Sequence, residues 1–447
     1  MGAAWRLEQL GHHNWLILEK EAYAGGLSAS FSDEMGFTWD IGGHVLFSHY
    51  EYFDRLMDTL LGPDQWICHE RESWIRLLGR FVPYPFQMNL RHLPREEMKE
   101  CVLGLLRLLR EQRTNKPAHF GEWISSVFGD GIARIFMRPY NFKVWAYPPE
   151  MLAYSWISDR VAVTDAERVV SNIIDERDDA SWGPNNRFCF PKFGGTGSIW
   201  RECAVRLPSD KLRFNSEVRR IDTARRRVVL EDGTTNDYDR LFSTMPLDLL
   251  VELAGMDHMK PAARELLYSS TYIYGIGLCG SPCDELATKC WMYFPEDTCP
   301  FYRVTVFSNY SPFNVPDISR YWSLMAEVSE SRLKPAPASA KLRVDELIRG
   351  LLNAGLIQRE EDIMNIWQMK IDRGYPTPTL GRDAALNALL PSLDALGVSS
   401  RGRFGAWRYE VSNQDHSLMQ GVEWADHIVM GSDEITVWHP EIVNHRK

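Results

Sequence analysis

The chain of 447 residues contains 45% hydrophobic and 25% charged residues, which are ordinary values for a globular protein, and its length predicts two or three domains. Its 50 Lys and Arg residues against 60 Asp and Glu residues give a net charge of −10, which argues against nucleic acid and anionic membranes as partners, because both require basic patches. No apolar run approaches the ~18 residues of a membrane span and the N-terminus shows no signal-peptide pattern, so we expect a cytoplasmic protein without membrane insertion.

The first elements follow the pattern of a dinucleotide-binding fold. Residues 3–20 predict a helix and then a buried strand, Trp15 to Glu19, that ends in an acid. In such folds the acid after the second strand binds the ribose hydroxyls of the adenosine half. The two glycines of Gly25-Gly26-Leu27-Ser28 permit close backbone approach to a phosphate, although a plain turn would read the same way.

The phosphate loop G-x-G-x-x-G should precede this strand. The printed chain opens with Met1 to Leu7, which is similar only to the tail of that loop and its helix. We therefore expect the first strand and most of the Gly loop to be missing.

The segment Gly42-Gly43-His44 predicts a second cofactor contact. Glycines leave room where a flat ring must lie, and a histidine beside them can tune that ring. From the residues alone, a hydrogen-bonded loop histidine is an equal alternative.

Further along the chain, a helix is predicted over 94–112 and more helical pattern follows to about 180. Residues 270–330 carry β-rich runs that indicate an antiparallel sheet. The fold class that these elements predict is α/β (α+β overall): a Rossmann-like dinucleotide-binding domain, an inserted helical domain and an antiparallel sheet domain. The predicted ranges are 1–88, 186–268 and 380–447 for the first, 89–185 for the second and 269–379 for the third.

The eight cysteines are scattered, which fits reduced thiols. Four of them form a cluster along the chain, and because its spacing matches no common zinc pattern, we expect no metal site. Its members are Cys279, Cys283, Cys290 and Cys299.

Four blocks of sequence carry a specific resemblance to a known family. They are His44-Val-Leu-Phe-Ser-His-Tyr50, Tyr84-Pro-Phe-Gln87, Arg138-Pro-Tyr-Asn-Phe-Lys-Val-Trp145, and the run from Arg403 to His416. With these blocks the chain resembles the UDP-galactopyranose mutases of the eukaryotic-like branch, from about residue 3 to the C-terminus. The resemblance implies an isomerase that interconverts UDP-galactopyranose and UDP-galactofuranose through attack of N5 of reduced FAD on the anomeric carbon, with NADPH as the reductant.

The resemblance also implies the site residues. His44, Arg160 and Arg303 would be catalytic, with the two arginines as bidentate clamps on the diphosphate. The implied FAD contacts are Glu19, Gly25, Gly26, Leu27, Ser28, Gly42, Gly43, His44, Val45, Val218, Arg403, Asn413, Gln414 and Ser417. The implied substrate contacts are Tyr84, Phe86, Gln87, Phe136, Asn141, Trp145, Arg160, Asn185, Tyr293, Arg303, Tyr310, Tyr375 and Tyr409. A helix predicted from Asn413 to about Met430 would stabilise the anionic reduced flavin with its N-terminus.

Alternatives stay open at this stage. Without a Gly loop, the chain could be a truncated, inactive mutase, a paralogue that binds a nucleotide sugar without FAD, or a protein that folds poorly. A flavin amine-oxidase-like oxidoreductase is the other class, but arginines and tyrosines favour a nucleotide diphosphate over an apolar substrate. A homo-oligomer is compatible with the sequence and is not established by it.

Overall fold

The computed structural model describes residues 1–110, 116–157, 160–163, 165–180, 182–183 and 185–444. The helices are α1 (Gly2–Gln9), α2 (Glu51–Leu61), α3 (Arg95–Arg110), α4 (Phe120–Ile132), α5 (Arg138–Trp145), α6 (Ala166–Ile174), α7 (Gly197–Arg206), α8 (Leu247–Leu253), α9 (Lys260–Ala263), α10 (Ala340–Asn353), α11 (Arg382–Ala395), α12 (Gln414–Met430), α13 (Ile435–Trp438) and α14 (Pro440–Asn444). The strands are β1 (Ile17–Leu18), β2 (Ser30–Ser32), β3 (Thr38–Asp40), β4 (Trp66–Glu70), β5 (Ser73–Leu77), β6 (Arg80–Pro83), β7 (Arg187–Pro191), β8 (Leu212–Arg213), β9 (Val218–Asp222), β10 (Arg227–Leu230), β11 (Thr235–Asp237), β12 (Leu241–Ser243), β13 (Tyr268–Cys279), β14 (Trp291–Tyr293), β15 (Arg303–Val306), β16 (Tyr321–Glu330), β17 (Ile363–Pro376) and β18 (Val398–Ser400).

Short parallel strands form the part of the fold that resembles a dinucleotide-binding unit. Strand β1 pairs with β8 and strand β12 pairs with β18, both in parallel. The predicted buried strand from Trp15 to Glu19 is wrong in length and burial, since β1 covers two residues and both are half-buried. The physical reason is that Trp15 to Glu19 line a large cavity instead of packing into a closed sheet.

The helical insertion is present, with α3, α4, α5 and α6 over one apolar cluster that includes Cys101, Leu105, Phe128 and Ile132. Helix α3 agrees with the prediction for 94–112, of which residues 111–112 lie outside the described residues.

The antiparallel sheet is confirmed and has seven strands in the order β17-β13-β16-β15-β14-β5-β6. Its neighbours pair antiparallel except β14 and β5, which pair in parallel. Strands β5 and β6 reach this sheet from residues 73–83, and the 14-residue strand β17 was not anticipated from the sequence.

The thiol prediction is wrong at one pair. Cys68 on β4 and Cys189 on β7 face each other across an antiparallel pair and form a disulfide. The two residues are 121 positions apart, so their local sequence gave no signal of the pairing. Cys279, Cys283, Cys290 and Cys299 are free.

Among the described residues, no helix is long and apolar enough to cross a membrane.

Two glycines of β13 let the large sheet pack closely against the rings of Phe37 and Trp39. A Cβ on Gly275 would overlap the ring of Trp39, and a Cβ on Gly277 would lie 2.8 Å from the ring of Phe37. Both rings are fully buried and stack on each other with centroids 5.7 Å apart. Because Trp39 belongs to β3, this contact fixes the strand that leads into the Gly42-Gly43-His44 loop.

We expect Gly275→Ala to destabilise the protein by about 1–3 kcal/mol or more, because the added methyl group overpacks against the ring of Trp39. The measurement is the free energy of unfolding in urea. Cys279→Ala, a half-buried position at the end of the same strand, is the control and should change stability much less. Equal stability of the Gly275 variant and the wild type would contradict this packing argument.

Candidate functional site

A cavity of about 2530 Å³ lies between the short parallel strands, the start of α12 and the large sheet. Every residue that the sequence assigned to FAD lines it. These are Glu19, Gly25, Gly26, Leu27, Ser28, Gly42, Gly43, His44, Val45, Val218, Arg403, Asn413, Gln414 and Ser417. Residues scattered over about four hundred positions of sequence therefore meet on one surface.

The first wall of the cavity follows β1. The backbone N–H of Glu19 donates to the carbonyl of Arg213 at 2.8 Å, and the Glu19 carboxylate accepts from the N–H of Glu21 at 2.9 Å. Gly25 then turns with a φ of 106°, a conformation that only glycine adopts easily, and a Cβ there would lie 3.2 Å from Trp200. The wall is therefore backbone-rich at the position where a phosphate is expected.

The loop after β3 forms the second wall. Asp40, at the end of β3, accepts hydrogen bonds from Ser30 Oγ at 2.5 Å and from Thr196 Oγ1 at 2.9 Å. Gly42 has a φ of 99°, and the N–H of Gly43 donates to Glu327 Oε1 at 3.0 Å. The loop is thus held from both ends by buried carboxylates.

His44 presents a neutral imidazole to the cavity. Its Nδ1 lies 4.0 Å from Asp40 Oδ2 and is a buried atom without a hydrogen-bond partner. Burial lowers the pKa of His44 to about 4, with Glu327 opposing the shift and Arg303 and Arg403 adding to it. The ring therefore stays uncharged at neutral pH and has a nitrogen available to a ligand.

This shift predicts a pH dependence. Below about pH 6.5 the unfolded histidine gains a proton that the folded one does not accept until about pH 4, so His44 makes the protein less stable as pH falls through that window. We expect the difference in unfolding free energy between wild type and His44→Gln to decline from pH 7 to pH 4. His258→Gln, at an exposed position, is the control. A difference that stays constant with pH would contradict the shift.

The third wall is the start of α12. Asn413 is the N-cap of this 17-residue helix and makes no side-chain capping bond. Gln414 Oε1 accepts from Trp200 Nε1 at 3.1 Å, while its Nε2 has no partner. The helix begins at the predicted residue, and its N–H groups and positive dipole end face the cavity near Ser417.

Cationic and aromatic groups border the cavity near the large sheet. Arg303, Tyr375, Tyr409 and Arg403 line it, and the Arg403 guanidinium lies 4.9 Å from the ring centre of Tyr375 and 5.8 Å from that of Tyr409. Arg160 does not line the cavity, but its guanidinium lies 4.8 Å from the ring centre of Tyr409. Within the described residues, no carboxylate pairs with Arg160 or Arg403.

Most other predicted substrate residues lie behind this border in aromatic contacts. The ring centres of Tyr84 and Tyr293 are 5.6 Å apart and those of Phe86 and Phe136 are 4.7 Å apart. The ring centre of Trp145 lies 4.8 Å from that of Tyr409. Their polar neighbours have partners of their own, since Gln87 donates to Ala162, Asn141 donates to Met137 and Asn185 accepts from Arg71. Tyr310 is 1% exposed and packs among Phe188, Phe190 and Phe307.

The sequence assignments missed two polar residues at the site, Asp40 and Glu327. Asp40 is buried, and burial raises its pKa to about 6 despite its hydrogen bonds to Ser30 and Thr196. Glu327 is 2% exposed, and it accepts from Arg303 and from Tyr302. An acid in the apolar run of β16 was the available signal for Glu327.

A group with metal-ligating atoms also lies beside the start of α12. His49, Asp415 and His416 bring such atoms within 4.8 Å of one another. His49 Nδ1 and Asp415 Oδ2 are hydrogen-bonded at 2.8 Å, and this bond ties the loop after His44 to the first turn of α12.

The comparisons with known proteins agree with this geometry. Residues 1–272, more than half of the chain, match the family described as flavin containing amine oxidoreductase. Two solved structures share the fold at low sequence identity: a protein from Exiguobacterium sp. 255-15, provisionally assigned as a protoporphyrinogen oxidase (TM-score 0.71, 16% identity, 96% of this chain and 95% of that chain), and a fatty acid isomerase from P. acnes that produces CLA (TM-score 0.63, 13% identity, 96% of each chain). The chain belongs to the flavin-containing amine oxidoreductase family.

One similarity is much stronger. The crystal structure of a reduced UDP-galactopyranose mutase has a TM-score of 0.97 and 47% identity to this chain, and the match covers 100% of this chain and 95% of that chain. Within the flavin-containing proteins, the chain therefore belongs to the UDP-galactopyranose mutases. The Rossmann-like fold class and FAD as the cofactor, both predicted from the sequence, are confirmed.

The residues of the cavity fit a flavin. Gly43 has no room for a Cβ, which would lie 2.5 Å from Thr305 Oγ1, so the loop backbone itself faces the cavity. His44 Nδ1 and Gln414 Nε2 are buried atoms without partners, and the dipole of α12 favours an anion. Hydrogen-bonding groups and a positive helix end thus meet where the reduced, anionic ring system would lie.

Proposed function

We propose that the protein interconverts UDP-galactopyranose and UDP-galactofuranose. The observation that carries this proposal is the joint wall of one cavity, in which His44 and the start of α12 meet Arg303, Tyr375 and Tyr409. A flavin bound by the first group and a diphosphate bound by the second would thereby be adjacent. The full-length similarity to a UDP-galactopyranose mutase supports the same substrate class.

Arg160 and Arg303 would hold the diphosphate. Guanidinium groups bind phosphate oxygens through paired, charge-assisted hydrogen bonds, and this strength is needed in a chain with a net charge of −10. Tyr375 and Tyr409 would add stiff hydroxyl donors. When UDP leaves the anomeric carbon, these groups would stabilise its charge and keep it close for return.

FAD, in its reduced form, supplies the nucleophile for the anomeric carbon without net oxidation. The chain would orient it with the Gly42-Gly43 backbone and would stabilise its anionic form with the N-terminus of α12. His44 would remain neutral and offer Nδ1 as a hydrogen-bonding group. NADPH as the reductant is part of the proposal.

The remaining sequence assignments are proposals as well. Tyr84, Phe86, Gln87, Phe136, Asn141, Trp145, Asn185, Tyr293 and Tyr310 would shape the uridine and sugar pocket, once side chains that now contact one another turn toward the ligand. The three-domain division is supported by the separate apolar cluster under the helical insertion. A cytoplasmic location is supported by the six free cysteines, whereas the Cys68–Cys189 bond weighs against it. A homo-oligomer and the absence of nucleic-acid binding also remain proposals.

The first test is the visible spectrum of the purified chain with and without added FAD, followed by product analysis with UDP-galactopyranose under dithionite. We expect a flavin band and formation of UDP-galactofuranose. A flavin band with substrate oxidation and no isomerisation would identify an oxidoreductase instead. UDP binding without a flavin band would identify a nucleotide-sugar binding protein.

Arg160→Ala tests the diphosphate assignment. We expect kcat/KM to fall on the order of 100-fold, because a bidentate charged contact is lost, while the flavin spectrum stays unchanged. Arg134→Ala is the matched control, since Arg134 is an exposed arginine of the same helical insertion that pairs with Glu100. An Arg160 variant as active as the Arg134 variant would remove Arg160 from the site.

A further inference from the structure

Glu327 is the central acceptor between the two halves of the cavity. Its carboxylate accepts from Tyr302 Oη at 2.5 Å, from Arg303 Nε and Nη2 at 2.7 and 2.9 Å, and from the backbone N–H of Gly43 at 3.0 Å. The side chain is 2% exposed. A carboxylate offers about four lone-pair sites, so these donors use its whole capacity.

The donors to Glu327 belong to different parts of the site. Gly43 is part of the loop that carries His44, whereas Arg303 lines the cavity where the diphosphate is proposed to bind. Gly43 cannot move toward the sheet, because Thr305 lies directly behind its Cα. Glu327 accepts from both Gly43 and Arg303 and therefore bridges the loop and the cation by hydrogen bonds.

The charges of Glu327 and Arg303 make this link sensitive to an anion that binds Arg303. Burial opposes the charge of Arg303, but the Glu327 carboxylate and the neighbouring tyrosines outweigh it and hold the pKa of the guanidinium well above its ordinary value. A buried carboxylate bound on both oxygens competes with any other anion for the same guanidinium. Glu327 uses the Nε and Nη2 donors of Arg303 and leaves those of Nη1 for a ligand, so a bound diphosphate would share the guanidinium charge with Glu327 and weaken that pair. The carboxylate would then bind its other donors, Gly43 and Tyr302, more strongly.

We infer that Glu327 is a positioning residue that couples binding of the diphosphate at Arg303 to the conformation of the Gly42-Gly43-His44 loop. The inference rests on the proposed function and adds to it a residue that acts through Arg303 and Gly43. In the absence of substrate, Glu327 balances the buried cation. With substrate bound, it strengthens its hold on the loop beside the flavin.

Glu327→Gln tests the coupling in the FAD-loaded protein. The amide keeps the shape but removes the charge that competes for Arg303, so UDP should bind roughly 3- to 10-fold more tightly by titration calorimetry. The amide oxygen is a weaker acceptor for the N–H of Gly43 than the carboxylate, so the loop beside the flavin is held less firmly. We therefore expect kcat to fall at least about tenfold and the flavin absorption maximum to shift. KM and kcat thus fall together, which loss of structure alone does not produce.

Two further variants complete the design. Glu330→Gln, on the same strand and paired with Lys370 at 2.7 Å, should leave UDP affinity, kcat and spectrum unchanged. Tyr302→Phe removes a donor from Glu327 and leaves more of its charge to Arg303, so UDP should bind roughly two- to threefold more weakly. Because this change in UDP affinity is opposite to the one expected for Glu327→Gln, the Tyr302 variant still tests the coupling if Glu327→Gln does not fold.

The outcomes separate this inference from the proposed function. Weaker UDP binding by Glu327→Gln together with a lower melting temperature would overturn the coupling and leave Glu327 a structural residue. A wild-type chain that binds UDP and FAD without isomerising would overturn the proposed reaction, while opposite shifts of UDP affinity in the Gln and Phe variants would still support the coupling.

Discussion

The arrangement of the cavity depends on the buried carboxylate of Asp40. It ends β3 and accepts hydrogen bonds from Ser30 on β2 and from the backbone and hydroxyl of Thr196, the residue before α7. These bonds hold a hairpin and a helix start together at the residue from which the Gly42-Gly43-His44 loop leaves. Without that fixed point, the loop would lose its anchor at the end of β3.

The burial of Asp40 also determines the electrostatics of the loop. Because its pKa is raised to about 6, the group is charged at neutral pH at a cost in stability, and it lies 4.0 Å from the neutral ring of His44. Glu327, on β16, is a second buried acid bound to the same loop, and its charge is balanced by Arg303. The loop is therefore held between two acids and presents an uncharged imidazole to the cavity, so stabilisation of an anionic ring system has to come from the N-terminus of α12 and not from the loop.

How much of this could be predicted depends on the range of the signal in the sequence. The glycines at 25, 26, 42 and 43 and the helix start at Asn413 are local patterns; the four glycines line the cavity, and Asn413 is the N-cap of α12. Glu327 joins Gly43 across 284 positions, and Cys68 joins Cys189 across 121, so neither pairing leaves a local pattern. The length of β1 could not be read either, since an apolar run that lines a cavity has the composition of one that is buried in a sheet.

Two positive charges lie close together beside the cavity, where Arg160 repels the half-buried Arg403. Tyr409 offsets much of this repulsion, since the guanidinium groups of Arg160 and Arg403 lie 4.8 and 5.8 Å from the centre of its ring. An aromatic face attracts cations without carrying a net negative charge. A carboxylate in this place would stabilise the arginines more strongly but would occupy the donors that a diphosphate needs. The tyrosine therefore keeps two cations close together and leaves part of their hydrogen-bonding capacity free, and Arg303, which does have a carboxylate partner, is the cation whose availability depends on exchange with the ligand.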